Sequence, residues 1–346
     1  MNSKKIGIGF LVLLVAGASL YGYSIYKDIF SANTAFQEPK IILHIPSGAT
    51  YSDVETILEP YIKNKDRFYF VARKKKYVFQ VKPGQFILKK NMNSNDIVNA
   101  LKYNVPVKLS FNNQETLNKL AGRISQQIEA DSVSLMKAFS DPHFLQENGF
   151  TDDTALSIFI PNTYEILWNT SAQQFRDKML KEYHRFWNQE RIQRADSLGL
   201  TPTEISILAA IVQKETAKVD ERPKVAAVYL NRLRKGIKLQ ADPTVVYAIK
   251  KEHQDFDLVI KRVWGRDTQL DSPYNTYLYA GLPLGLITMP DISAIDAVLY
   301  PEQNEYIYFC ASVTRFGYHE FASTLNEHNV NRKKYIQWIN KQGIQR

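Results

Sequence analysis

Between Lys5 and Lys27 the chain runs IGIGFLVLLVAGASLYGYSIY without an acid or a base. Wound as a helix at about 1.5 Å per residue, this run reaches about 30 Å, the thickness of a bilayer's hydrocarbon core. Lys4 and Lys5 precede it, so the excess of positive charge keeps the N-terminus cytoplasmic and exports the rest. Tyr21, Tyr23 and Tyr26 fall where an outer interfacial belt would lie. Ala16-Gly17-Ala18 resembles a signal-peptide cleavage site, but the apolar run continues past it, which favours an uncleaved anchor. The expectation is a single-pass protein of the cell inner (cytoplasmic) membrane with its bulk in the periplasm.

Composition narrows what the exported part can be. Of 346 residues, 45% are hydrophobic and 23% charged, the balance of a folded globular chain. The single cysteine, Cys310, excludes an intrachain disulfide, a cysteine zinc site and an acylated N-terminal cysteine. A net charge of +9 favours an anionic neighbour. Export, and the lack of a basic stripe interleaved with aromatics, argue against nucleic acid. No cofactor is expected. A metal site is not expected either, since His319 and His328 are spaced without a common zinc pattern and read as hydrogen-bonding within a loop core.

The sequence predicts an α+β chain in four ranges. Residues 1–30 are a cytoplasmic stub and anchor, 31–39 a linker, 40–122 a small β–α module and 123–346 a larger mixed domain. In the module, IILHIPSGATYSDVETIL, QFILKKNMNSNDIVNAL and PVKLSFNNQETLNKLAG each read strand, polar turn, helix. Ser52, Ser94 and Asn113 are the expected N-caps. Residues 65–77 are basic and aromatic, either a helix with its lysines over a small core or a grip on an anionic polymer. Further on, Pro161 is expected to end a strand, and residues 168–197 carry charges at the spacing of a solvent-facing helix.

Chemistry concentrates after residue 200. Thr201-Pro202-Thr203-Glu204 starts a helix, with Thr at N-cap, Pro first and Glu third. ISILAAIVQKET continues it, apolar on nearly every side and therefore buried. Leu208, Ile211 and Glu215 share one stripe, so a carboxylate ends an apolar face near the negative end of the helix dipole. Desolvation and dipole both raise the pKa of Glu215, as a general acid requires; the bland alternative is a glutamate emerging into solvent where the helix stops. Asp220 and Asp242 read as helix caps and Gly236 as a left-handed terminator. Arg232, on an apolar face with Val225, Val228 and Tyr229, reads as an ion pair, a substrate contact or a snorkelling side chain.

IVQKETAKVDERPKVAAVYLNRLRKGIKLQADPTVVYAI resembles the core motif of the YceG-like family, the endolytic murein transglycosylases. Tyr274-Asn-Thr-Tyr277, Gly281-Leu-Pro283 with Gly285, and Gly317-Tyr-His319-Glu-Phe321 follow in the family's order. The resemblance implies an enzyme that cuts peptidoglycan glycan strands internally at MurNAc-GlcNAc β-1,4 bonds. Glu215 would be the catalytic acid/base, and the sugar's own 6-hydroxyl would replace water to leave 1,6-anhydroMurNAc ends. It also implies a LysM-like character for the small module and cell-wall synthesis proteins as partners. Gln213, Asn231, Arg232, Gln240, Asp242, Thr244, Tyr274, Asn275, Thr276 and Tyr277 are the implied substrate-binding residues. The family carries an acid at position 213, a departure of little consequence if only Glu215 exchanges protons. It also carries acids near Leu156, Ser157 and Asn162 that this chain lacks. A water-using muramidase with Asp220, Glu221 or Asp242 as second carboxylate, and a non-catalytic binding scaffold, remain the alternatives.

Overall fold

The computed structural model of the chain describes residues 3–341. Residues 1–2 and 342–346, the outer ends of the first and last sequence ranges, lie outside the described residues. The fold is mixed α+β. It divides into two units, one of residues up to 109 with 127–130 and 164–171, the other of residues 110–126, 131–163 and those from 172 onward.

The first unit begins with α1 (Ser3–Phe30), whose stretch Gly7–Lys27 has a mean hydropathy of 1.9 and is long and apolar enough to cross a membrane. Its large side chains from Ile8 to Leu20 are exposed. Then come β1 (Lys40–Ile45), α2 (Tyr51–Leu58), α3 (Lys65–Lys74), β2 (Gly84–Lys89), α4 (Ser94–Ala100) and β3 (Val107–Phe111). β1 and β2 pair antiparallel from Lys40 opposite Lys89 to Ile45 opposite Gly84. Strand alternation turns Leu43, Ile45, Phe86 and Leu88 inward, where Val54, Leu58, Phe68, Val71 and Ile97 of the helices close over them. The basic helix α3 thus buries Phe68, Val71 and Ala72 beneath its lysines.

The helix starts differ from the expected caps. Thr50 and Asn93, not Ser52 and Ser94, cap α2 and α4, each forming a reciprocal box with an aspartate three residues on, Asp53 and Asp96. The Thr50 hydroxyl accepts the Asp53 N–H at 3.4 Å and the Asn93 Oδ1 the Asp96 N–H at 2.8 Å, while Ser52 and Ser94 already lie within the helices. Ser94 is instead buried and accepts from the Asn33 amide. Asn113 likewise gives way to Thr116 as the cap of α5 (Leu117–Ser125), which belongs to the second unit.

The second unit continues with α6 (Ser132–Phe139) and α7 (Pro142–Glu147); β4 (Asn162–Ile166) has its first two residues in this unit and its last three in the first; then come α8 (Ala172–Phe186), α9 (Gln189–Ser197), α10 (Pro202–Glu215) and α11 (Arg222–Arg234). It ends with α12 (Asp242–Glu252), α13 (Ile292–Leu299), the antiparallel hairpin β5 (Tyr308–Ala311) with β6 (His319–Ala322), and α14 (Leu325–Lys341). Pro161 precedes β4 rather than ending a strand, because residues 155–158 form a 3-10 turn. The charged stretch after Trp168 breaks into α8 and α9, and α8 buries Phe175, Met179 and Tyr183. Its Phe175 joins Phe139 and Phe159 in one aromatic cluster. α10 is the central element: every residue from Ile205 to Val212 is buried, against α11, α12 and α13. Burying each large aliphatic side chain in it contributes roughly 1.5–3 kcal/mol. Gly236 ends α11 with φ +65, and the Ile237 N–H returns to the Arg232 carbonyl.

Gly285 explains one fixed point of the loop that leads to α13. A Cβ there would overlap the main chain of Asp153, whose carbonyl accepts from the Leu286 N–H at 3.1 Å. Backbone cannot move aside as a side-chain tip can. Gly285→Ala is expected to destabilise the protein by about 1–3 kcal/mol, the usual penalty of overpacking, read as a lower urea midpoint at unchanged slope.

Candidate active site

The site is built at the C-terminal end of α10. Thr201 accepts from the Glu204 N–H at 3.2 Å, and Glu204 accepts the Thr201 N–H at 2.8 Å, fixing where the helix starts and so which residues face inward. Glu215 is the last helical residue; Thr216 turns extended at φ −136°, ψ 133°. Glu215 keeps part of its surface open, yet its Oε2 is buried without a hydrogen-bond partner. The Tyr229 hydroxyl of α11 hydrogen-bonds the carboxyl group. Burial raises the Glu215 pKa, and the nearby Asp242 charge raises it further; the Tyr229 bond and the Arg232 charge pull it down. The result is a carboxyl pushed up to about 7, poised to hold or release a proton near neutrality.

Asp242 does not cap α12. It is the helix's first residue, behind Ala241, and its Oδ1 accepts the Tyr277 hydroxyl at 2.5 Å. Its carboxylate is turned to Tyr277, and the Thr244 N–H goes to the Ala241 carbonyl at 3.0 Å. Asp220 does not cap α11 either; it lies in the 3-10 turn Val219–Glu221 and accepts from the Tyr318 hydroxyl at 3.0 Å.

Of the remaining candidates, most are engaged internally. Arg232 is buried, giving its Nε to the Ile307 carbonyl at 2.6 Å and its Nη1 to the Leu239 carbonyl at 2.7 Å. Asn231 donates to the Asn304 and Tyr306 carbonyls. Asn275 holds the Thr268 and Leu270 carbonyls, and Tyr274 donates to Asp153 at 2.7 Å. Thr276 accepts the Ala241 N–H and pairs with Thr244 at 2.9 Å, while Gln240, at φ +50, gives its N–H to the Thr276 carbonyl. This turn-to-turn lacing sets Asp242 and Tyr277 beside Glu215. Gln213 sits on another face, accepting from the Asp291 N–H at 2.6 Å and donating to the Met289 carbonyl at 3.3 Å.

Sequence reasoning does not single out Tyr229 or Glu115 for the site, and offers Glu221 only as a possible second carboxylate. Tyr229 reads there only as a helix-face residue. Glu115 bridges Lys214 at 2.7 Å and Lys250 at 3.0 Å, a pairing that a spacing of 99 and 135 residues hides. Glu221 is buried, accepting from the Thr216 hydroxyl at 3.0 Å, the His319 N–H at 2.7 Å and His319 Nδ1 at 2.9 Å. His319 therefore belongs to a buried pair, and His328 lies on α14, stacked on Tyr308 at 5.1 Å, rather than in a loop core.

The wiring of Gln213 makes a definite prediction. Gln213→Glu keeps the acceptor for Asp291 but loses the donor to Met289 and sets oxygen against oxygen. The variant should lose about 1 kcal/mol of stability, the worth of one hydrogen bond, seen as a lowered denaturant midpoint.

A family model described as the YceG-like family matches residues 43–334. The endolytic murein transglycosylase of Bacillus subtilis (strain 168) is 28% identical over 345 residues, spanning 94% of this chain and 91% of its own length. That of Streptococcus pneumoniae serotype 2 (strain D39 / NCTC 7466) is 26% identical over 357 residues; the match takes in 94% of this chain but only 64% of the relative, which is the longer protein. A solved structure of a yceG-like protein from Listeria monocytogenes superposes with a TM-score of 0.56 at 30% identity, over 85% of this chain and 99% of that one. With the family model covering most of its length, the chain belongs to the YceG-like family.

Proposed function

We propose that the chain is a lytic transglycosylase that cuts peptidoglycan glycan strands internally at MurNAc-GlcNAc β-1,4 bonds, leaving 1,6-anhydroMurNAc ends. Two relatives named endolytic murein transglycosylases support the substrate class. The carrying observation is Glu215, a carboxyl poised near pH 7 with one buried, unpartnered oxygen. Protonated, it gives its proton to the glycosidic oxygen as the bond breaks. Now a carboxylate, it takes the proton of the C6 hydroxyl, which attacks C1 on the same sugar. One group thus serves as acid and then base, with no water consumed. The negative charge of Asp242 beside it also favours the positive charge that develops on the sugar ring.

Asp242 is also the one observation that favours a second reading, in which it activates a water and the product carries a reducing end. Asp220 and Glu221, bound to Tyr318 and to Thr216 with His319, are not among the charges that act on Glu215. Mass spectrometry of products from purified sacculi separates anhydro ends, reducing ends and no cleavage.

The same reading places α1 in the inner membrane with the remainder periplasmic, and takes the β–α–α–β order of β1, α2, α3 and β2 as a LysM-like glycan-binding module. Deleting residues 1–27 should release a folded, soluble protein; pelleting with membranes in high salt would reveal a second membrane-binding surface.

Glu215→Gln should lower cleavage by about 10²–10⁴-fold or more, since both proton transfers fail. For the wild type, kcat/KM should fall as pH rises through about 7, where the acid form of Glu215 is lost. Stability follows the same titration. The folded-state pKa lies above the unfolded value near 4.5, so the contribution is full below about 4.5 and lost as pH rises through about 7. Glu215→Gln should therefore match or exceed wild-type melting temperature at pH 8, with the advantage shrinking by pH 4.5. Normal anhydromuropeptide release by this variant would overturn the assignment.

A further inference from the structure

We infer that a cationic cleft beside Asp242 binds the carboxylate-bearing peptide stems of the glycan strand, so that the enzyme prefers substituted over naked strands; this rests on the glycan-cleaving reading above. The cleft has a volume of about 240 Å³, and its charged lining consists of Lys214, Lys250, Lys261 and Arg262 with Glu115 and Asp242. Two of these residues tie it to the chemistry. Lys214 directly precedes Glu215, and Asp242 is the charge that acts on it. Asp242 thus belongs both to the cleft and to the surroundings of Glu215.

The charge inside is not balanced. Glu115 is fully engaged, one oxygen to Lys214 and the other to Lys250. Asp242 accepts from Tyr277. Lys261 and Arg262 have no carboxylate partner among the described residues. The Arg262 guanidinium instead lies over the Trp264 ring at 4.4 Å from its centroid. A stacked guanidinium keeps its in-plane N–H groups free for a carboxylate. Both cations stand on the irregular segment between α12 and the 3-10 turn Asp267–Gln269.

The ligand chemistry follows from the substrate. Within a peptidoglycan strand the sugars are neutral, and the free carboxylates belong to the peptides carried on alternate sugars. A cleft with two unpaired cations beside a glycan-cutting carboxyl matches the several carboxylates of a stem, whereas a stripped strand offers only the single lactyl carboxylate left on each muramoyl sugar. The neighbouring apolar side chains Val246 and Ile260 suit the stem's aliphatic portions.

The test reads affinity, so that it stands apart from cleavage. The full chain in detergent, carrying Glu215→Gln to prevent turnover, is titrated with short strands in three forms: stem-bearing, enzymatically stripped of stems, and stem-bearing with carboxylates amidated. Stem-bearing strands should bind about tenfold tighter than stripped ones, the scale of two exposed charge contacts, and the margin should shrink with salt. Adding Lys261→Gln and Arg262→Gln should bring the ratio toward one, as should amidation; both side chains are exposed, so the fold is retained. A preference that survives amidation or the double substitution, or no preference at all, overturns the inference. Failure of the wild type to cut any strand would instead sink the transglycosylase reading and leave these affinities to be judged by themselves.

Discussion

A carboxyl group is costly to place where water cannot reach it, and α10 places one at the end of an otherwise apolar helix. The helix is buried on all sides for eight residues and reaches the surface again in its last turn. Glu215 sits at that edge, between the interior that packs the unit and the surface that meets a substrate. Tyr229 and Arg232 from α11 moderate its burial, and Asp242 from the start of α12 opposes its ionisation. The balance sets a proton affinity that no residue of α10 alone provides. Core packing and acid–base chemistry are therefore the same arrangement seen from two directions.

Much of the polar apparatus around it faces inward. Arg232 gathers carbonyls from the loops after α11 and at β5, and Asn231, Asn275 and Thr276 fasten further stretches of main chain. In irregular segments the backbone has no ladder to join, so side chains must satisfy it. These residues hold loops in register so that Asp242 and Tyr277 arrive at Glu215.

What the sequence conveys and what it withholds differ by the range of the interaction. The start of α10 is local, a Thr-Pro-x-Glu pattern whose capping box closes within four residues, and it is read correctly. So is the left-handed stop at Gly236, and so are the strand–helix alternations of the first unit, whose periodicities are local too. Caps are misjudged by one to three residues where several polar side chains stand close together before a helix. Asp242 illustrates the harder case. Its position before a proline mimics a cap, but its partner, Tyr277, lies 35 residues away. Glu115 with Lys214 and Lys250, and Glu221 with His319, are likewise pairs that only the folded chain brings together.

The segment that leaves Glu215 is held quite differently from the helix that leads to it. Thr216 is bound through its hydroxyl to Glu221, and Glu221 in turn to His319 on the edge of a two-stranded hairpin, with Tyr318 reaching Asp220 alongside. Directional polar bonds in a short ribbon open locally at a smaller free energy than a helix enclosed by aliphatic side chains. On heating, the ribbon would come away while α10 is still intact. The site would then go slack before the molecule melts, so its thermal inactivation belongs to this corner of the second unit and not to the core that defines the fold.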